Sequence, residues 1–369
     1  MIFSQLFSKM IDQLIYFGMP AVTFYHLLCG NVFLNTAAED ACGLEKMGDI
    51  ALTSFRYLFA GNTAYPVDGL DRYEIKQHFD YREHVFLRTT GSLVTLPFGV
   101  IIGSVLKGAA FFFADVRARH RAIVTSLNSL HVESHIDLYR KLLIDLGENA
   151  IADRLISKGY ERRSSDINHL CEEKKAFAKI VKILQDNQIP FWADCGTCLG
   201  AYRYGGIIPW DNDLDLAILQ PDFANMKHAL NALDSNLYLV EDWSSRSLPE
   251  TYVRVYIRST RQYIDIYTYA IDPDKQTIQY ICSNVNNLFM QEGWKINERR
   301  YMVETPYSVV FPLRFADFDS IEVPVTQQVE KYLQMRYGDN LAPVKIYNAK
   351  TGNYEKDLSH PYWQRAFAH

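Results

Sequence analysis

The stretch Asp194-Cys195-Gly196-Thr197-Cys198-Leu199-Gly200-Ala201-Tyr202-Arg203-Tyr204-Gly205-Gly206-Ile207-Ile208-Pro209-Trp210-Asp211-Asn212-Asp213-Leu214-Asp215 concentrates glycine, hydroxyl and carboxylate chemistry in one short run. Its end, Trp210 to Leu219, has the pattern of a β-strand. On a strand, residues i and i+2 share a face. Asp211, Asp213 and Asp215 are therefore expected on one face, with Asn212, Leu214 and Leu216 on the other. Three carboxylates so placed repel one another unless a divalent cation neutralises them. Hard oxygen ligands on a rigid element suit Mg²⁺ or Mn²⁺. An acidic turn on a wet surface is the plainer alternative. Ile207, Ile208 and Trp210 before the run, and Leu214 to Leu219 after it, weigh against that, because charges embedded among apolar residues are normally paired or ligated.

A third carboxylate should arrive from a neighbouring strand. Asp265 in Tyr263-Ile264-Asp265-Ile266-Tyr267 is the candidate, as a metal ligand or a general base. Gly196 and Thr197 lie upstream, after a short apolar segment. A glycine and a small hydroxyl residue there let backbone N–H groups approach a phosphate. Arg203 is expected to pair with that phosphate or with the acidic cluster. Arg254 and Arg258, four apart on a strand, share a face and could add positive charge. Cys195-x-x-Cys198 has the spacing of a redox pair, but no second cysteine pair completes a zinc site.

Gly-Thr-x-Leu-Gly-x-x-Arg followed by Ile-Pro-Trp-Asp-x-Asp-x-Asp closely resembles the LicD family of phosphorylcholine and fukutin-like ribitol-phosphate transferases. Tyr263-Ile264-Asp265-Ile266 is similar to a second element of that family. Phe311-Pro312, Val323-Pro324, Tyr332-Leu333 with Tyr337-Gly338-Asp339, and Pro343 resemble its C-terminal features. The resemblance covers about Ile167 to Pro343. Asn212 stands where many members have Asp, and Cys198 where Leu is usual.

The resemblance implies a nucleotidyltransferase-like fold, α+β or α/β, with a mixed sheet flanked by helices. It also implies metal-dependent transfer of a phospho-alcohol, such as phosphocholine or ribitol phosphate. The donor would be CDP-activated and the acceptor a glycan or glycolipid hydroxyl. Asp213, Asp215 and Asp265 become the expected catalytic residues. The metal set is Asp211, Asp213, Asp215 and Asp265, and the donor-binding set Gly196, Thr197 and Arg203. A nucleotidyltransferase moving NMP from an NTP needs the same carboxylates. An inactive, membrane-docked interaction protein is the alternative outside enzymes.

The rest of the chain sets the context. It has 369 residues, enough for roughly two domains. Lys plus Arg number 38 against 43 Asp plus Glu, so a broadly basic nucleic-acid binder is excluded as the expectation. Apolar residues make up 48% and charged residues 22%, which excludes wholesale disorder. Six cysteines in this length do not make a disulfide scaffold and fit a reducing compartment. The mean hydropathy of -0.14 argues against a polytopic membrane protein.

That average hides two windows, each long enough to cross a hydrocarbon core as a helix. Leu14 to Leu34 carries no Asp, Glu, Lys or Arg, and Leu93 to Ala114 carries only Lys107. They read either as buried helices of a soluble N-terminal region or as a membrane hairpin. Arg117, Arg119 and Arg121 follow the second window, which puts the flank on the cytoplasmic face of a membrane. The expected organisation is an apolar helical region over 1–125, a helical connector over 126–165, a catalytic domain over 166–345 and a tail over 346–369. A helix is expected along Ile167, Leu170, Phe177, Ile180, Val181 and Leu184, capped by Ser165 or Asp166.

Overall fold

The computed structural model describes residues 35–36, 42–59, 62–66, 73–77, 85–128, 134–147, 154–244, 248, 250–282 and 292–365. The first apolar window, Leu14 to Leu34, lies outside the described residues. The chain divides into two units, residues 1–130 and 131–369.

In the first unit, β1 (Asn35–Thr36) pairs in parallel with a later strand, and α1 (Gly43–Ala51) and α2 (Thr53–Phe59) follow it. β2 (Asn62–Pro66) and β3 (Tyr73–Gln77) complete a three-stranded sheet. α3 (Val85–Ala110) is 26 residues long and contains Pro97, and α4 (Ala114–Asn128) follows after a short turn. The second window therefore maps onto two elements. Its helix starts eight residues earlier than Leu93 and stops at Ala110, because Thr89, Thr90 and Arg88 are helical without being apolar. α1 packs on α3 at very short range: a Cβ added to Gly99 would lie 2.4 Å from the Ala51 carbonyl oxygen, and one on Gly103 2.5 Å from Leu52 Cγ.

The second unit runs α5 (Ile136–Lys141), β4 (Arg154–Leu155), α6 (Cys171–Asp186), β5 (Phe191–Ala193), α7 (Cys195–Tyr204) and β6 (Leu214–Leu219). α8 (Phe223–Ala229), β7 (Tyr238–Asp242), β8 (Tyr252–Ile257), β9 (Tyr263–Asp272) and β10 (Thr277–Tyr280) come next. The unit closes with α9 (Glu292–Tyr301), β11 (Thr305–Pro306), α10 (Tyr307–Val310), β12 (Arg314–Phe318), β13 (Ile321–Val325), α11 (Val329–Tyr337), β14 (Lys345–Asn348) and β15 (Asn353–Lys356). This is a mixed α/β fold, as the alternation of helical and strand patterns implies.

Its main sheet has seven strands. The order is β11-β10-β9-β6-β5, with β8 also on β9 and β7 on β8. β6 runs parallel to β9, while β5–β6, β8–β9 and β7–β8 are antiparallel. All six residues of β6 are buried, which is what a central strand covered on both faces requires. β8 alternates instead: Val253, Val255 and Ile257 enter the core, and Tyr252, Arg254 and Tyr256 face the other way.

α6 covers the sheet through Phe177, Ile180, Val181 and Leu184, spaced for one helical face. Truncating one such side chain to alanine costs about 2–5 kcal/mol. Two expectations for this helix change. It begins at Cys171, and Ile167 and Asp166 belong to a separate short 3₁₀ turn in which Ile167 is exposed. Asp166 accepts the Arg163 N–H of that turn rather than capping α6.

The segments around the sheet are joined to it. β4 pairs in parallel with β12, and β12 pairs with β13. In the C-terminal β14–β15 hairpin, Tyr354 donates to Asp166 and packs its ring 5.2 Å from Trp210.

Candidate active site

The site is built where β5 and β6 lie side by side. β5 ends at Ala193, and Asp194 starts α7 as its N-cap, its Oδ1 accepting the Cys195 N–H at 2.8 Å. Tyr269 and Tyr332 donate their hydroxyls to the two Asp194 oxygens, both at 2.6 Å. The Asp194 N–H donates to the Asp215 carbonyl at 3.1 Å, and the Asp215 N–H donates to Thr197 Oγ1 at 2.8 Å. Asp215 is thus clamped through its backbone on both sides. The Thr197 hydroxyl oxygen accepts in that clamp, so its own hydrogen, like its backbone N–H, is left to donate to a phosphate. Asp194 stood in the sequence line without a role, and only the fold shows that it supports the site.

Register does the rest. The parallel β6–β9 pairing sets Asp215 beside Asp265, and the antiparallel β8–β9 pairing sets Arg254 opposite Asp265. Asp213 precedes β6 by one residue. Asp213, Asp215 and Asp265 each bring a carboxylate oxygen to within 4.8 Å of the others. At an effective dielectric of about 20, two ionised carboxylates this close repel by roughly 3–4 kcal/mol. Burial first, and then the neighbouring charges, push Asp213 and Asp215 above the usual carboxylate range.

Asp211 takes a different position from the one expected. The strand begins at Leu214, so face alternation does not apply to Asp211, which sits in the turn before it. Asp211 is not one of the three converging carboxylates. Its side chain lies over α7, where a Cβ on Gly196 would come within 2.3 Å of Asp211 Oδ2. Gly196 is therefore small to admit Asp211. Burial, then the charge of Asp213, raises Asp211 to about 7. His169 Nε2 holds the Asp211 carbonyl at 2.7 Å. Replacing Gly196 with alanine should displace Asp211 while leaving the fold intact. Activity is expected to fall about as far as in Asp211→Ala, and the double variant no further, which steady-state kinetics of the three proteins would check.

Asp265 is the one carboxylate of the trio with a cationic partner among the described residues. Arg254 Nε donates to Oδ1 at 2.8 Å and Nη2 to Oδ2 at 3.0 Å, a bidentate pair. The guanidinium lies 3.7 Å from the Tyr263 ring centre, with Trp243, Tyr252 and Tyr256 also around it. Burial alone would lower the Arg254 pKa, but the hydrogen bonds to Asp265 outweigh it and hold it above the ordinary value. Arg258 does not join Arg254. β8 ends before it, and its Nε donates to the Ser235 carbonyl.

Arg203 is likewise absent from the acidic cluster. It is buried, and its guanidinium donates to the carbonyls of Leu341 at 2.7 Å and Ala342 at 2.6 Å. The expected phosphate contact is replaced by a tie between α7 and the chain after α11. Arg203→Met should destabilise the unit by about 2–4 kcal/mol in chemical denaturation, with the substrate KM unchanged.

Glu298 on α9 was not visible in the sequence, since nothing separates it from the charged residues around it. Tyr280 donates its hydroxyl to Glu298 Oε2 at 3.0 Å, and burial raises the carboxyl to about 7, with a smaller push from the Asp265 charge. Cys195 and Cys198 are both free, and burial raises both thiols, which is the opposite of a reactive redox pair.

The donor set of Asp213, Asp215 and Asp265 is all carboxylate oxygen, with neither sulfur nor imidazole. It fits a hard divalent cation, and the mutual repulsion gives such an ion something to neutralise.

Residues 188–328 match the family described as LicD/FKTN/FKRP, nucleotidyltransferase domain. Similarity to the mouse ribitol-5-phosphate transferase FKTN is 46% identity over 50 residues, 14% of this chain and 11% of that protein. The human ribitol 5-phosphate transferase FKRP is 24% identical over 165 residues, 43% of this chain and 30% of that protein. The uncharacterized protein RP689 of Rickettsia prowazekii is 27% identical over 142 residues, 38% of this chain and 45% of that protein. The chain thus spans less than half the length of each of these relatives. Every residue of the carboxylate cluster, with Gly196, Arg254 and Glu298, falls inside the segment that matches the LicD/FKTN/FKRP nucleotidyltransferase domain.

Proposed function

We propose that this chain transfers a phospho-alcohol, such as phosphocholine or ribitol phosphate, from a CDP-activated donor to a hydroxyl of a glycan or glycolipid. The observation that carries this reading is the convergence of Asp213, Asp215 and Asp265 on one point, within a domain whose relatives include two proteins named as ribitol-phosphate transferases. Asp213, Asp215 and Asp265 would hold the Mg²⁺ or Mn²⁺. Bound there, the ion supplies Lewis-acid polarisation of a diphosphate and offsets charge on the departing nucleotide.

The chain's own groups divide the remaining work. Asp211, its carboxyl raised to about 7, stands beside Asp213 and shares a hydrogen bond with it. Gly196 and Thr197 lie in the first turn of α7, whose N–H groups have no partner within the helix and suit a phosphate oxygen. Arg254 fixes the orientation of Asp265 as a ligand through its two hydrogen bonds. Glu298, raised to about 7, is suited to receive the proton of the acceptor hydroxyl near neutral pH. In the transfer, the acceptor oxygen bonds to the phosphorus of the phospho-alcohol. The bond from that phosphorus to the CMP oxygen breaks, and the hydroxyl proton passes to the carboxylate.

The test is a donor screen with the full chain, Mg²⁺ or Mn²⁺, and CDP-ribitol, CDP-choline, CTP or ATP. Metal-dependent release of CMP from a CDP-alcohol supports the reading. Pyrophosphate release from an NTP, with none from any CDP-alcohol, replaces it by nucleotidyl transfer.

The carboxylates also set a pH dependence. The folded pKa of Asp211 is raised from an ordinary aspartate value to about 7, and those of Asp213 and Asp215 are raised with it. The folded state therefore binds more protons than the unfolded chain between these values. The contribution of these groups to metal-free stability is fully present below about pH 4 and falls as pH rises towards 7. Thermal unfolding in EDTA should show this fall, and Mg²⁺ or Mn²⁺ should reduce it. A metal-free melting temperature that rises from pH 5 to 7 would contradict it.

A further inference from the structure

The long helix α3 and its neighbours carry an inference separate from the transfer chemistry. Phe86–Ala110 is long and apolar enough to cross a bilayer, and only 17% of its most apolar window is buried within the protein. A core helix of a soluble unit shows the reverse. Phe86, Leu87, Leu93, Val94, Phe98, Ile101, Ile102 and Val105 are all exposed. The opposite face is used differently. Gly99, Gly103 and Lys107 recur every four residues and meet α1, with a Cβ on Gly48 lying only 2.8 Å from Lys107 Cγ.

Two further features distinguish this face from an ordinary apolar patch. Lys107, the one charge in the expected apolar window, is buried against α1 and bonded to Asp49 at 2.6 Å, and Arg56 reaches the same carboxylate. Its charge is thus paired inside the unit, on a carboxylate that it shares with Arg56. Three of the five hydroxyls of the helix also donate to carbonyls of the preceding turn. Thr90 donates to the Phe86 carbonyl at 2.9 Å, Thr95 to that of Gly91 at 2.8 Å and Ser104 to that of Val100 at 2.6 Å. Polar groups in a hydrocarbon medium must find such internal partners. At the helix end Phe111, Phe112 and Phe113 are exposed. Arg117 and Arg121 follow on α4, suited to an anionic headgroup surface.

We infer that the exposed face of α3 is embedded in a lipid bilayer, with the α1-facing side shielding the Lys107–Asp49 pair and the basic start of α4 at the anionic cytoplasmic leaflet. The enzyme would then stand at the surface that presents a lipid-linked acceptor.

The test is flotation of the full chain with vesicles of equal parts phosphatidylcholine and phosphatidylglycerol, followed by an alkaline carbonate wash. The wild-type protein should float and resist the wash. The variant Val94→Asp with Ile101→Asp should lose vesicle-bound protein by about tenfold or more, because a carboxylate in the hydrocarbon core is costly. Its circular dichroism should not change. Three results overturn the inference. The variant floats like the wild type; or the wild type stays with the soluble fraction as a dimer, so that a second copy covers the face; or it stays there as a monomer, so that another segment of the chain covers it. None of these readouts depends on CMP release, so failure here is distinct from failure of the transferase reading.

Discussion

Asp213→Asn and Asp215→Asn should each lower turnover by about a thousandfold or more, while the metal-free protein keeps or gains stability. The two effects have opposite signs for one reason. In the absence of a cation, each ionised carboxylate of the trio is a repulsive neighbour to the others at under 4.8 Å. Exchanging one for a neutral amide of the same shape removes repulsion that amounts to roughly 3–4 kcal/mol per pair when both groups are ionised. In the presence of donor, the same exchange removes a ligand from the group that stabilises the developing charge, a contribution of several kcal/mol. Asp215 has the stronger case, since Thr197 and Asp194 hold its backbone and it cannot retreat. The measurements are CMP release and thermal unfolding, each with and without Mg²⁺ or Mn²⁺. Divalent stabilisation should vanish in both variants. Retained turnover would remove the carboxylates from the chemistry. A large loss of metal-free stability would make them structural.

Much of this site could be read from the chain because its key spacings are local. Asp213 and Asp215 are two apart, and Asp265 lies in a strand with β-branched neighbours, so their types and spacing announce a hard-ligand cluster. Asp211 was misplaced because alternation assumes that the strand has already begun. The turn at Pro209-Trp210 delays β6 to Leu214, and Asp211 is positioned by Gly196 instead. Arg203 was misassigned for another reason. Its partners, Leu341 and Ala342, lie far away in sequence, and no local pattern links them.

Glu298 and Asp194 gain their meaning only from tyrosines delivered by other elements: Tyr280 from β10, Tyr269 from β9 and Tyr332 from α11. The apolar window at Leu93 similarly marked hydropathy rather than helix, and missed that α3 begins at Val85. The sequence also could not show that Lys107 meets Asp49, a pairing that turns an apparent objection to membrane insertion into a feature compatible with it.

Arg254→Met should be the most destabilising single change at the site, at about 3–5 kcal/mol, because it strands Asp265 as a buried charge without its partner. Asp265 is almost wholly buried, and the bidentate guanidinium is its principal counter-charge among the described residues. That loss corresponds to a fall in melting temperature of roughly 6–20 °C for a unit of this size. Three comparisons identify the cause. Arg254→Lys keeps the charge but loses the planar fork and its stacking on Tyr263, so it should fall between wild type and Arg254→Met. Arg254→Met combined with Asp265→Leu removes both charges and should recover most of the stability, yet none of the activity. Added Mg²⁺ or Mn²⁺ should recover part of the stability of Arg254→Met alone, because a cation bound by Asp213, Asp215 and Asp265 supplies the counter-charge that the guanidinium gave. If Arg254→Met melts like the wild type, Asp265 does not depend on Arg254. If the double variant is no more stable than the single one, the loss comes from the aromatic packing around the guanidinium and not from the orphaned carboxylate.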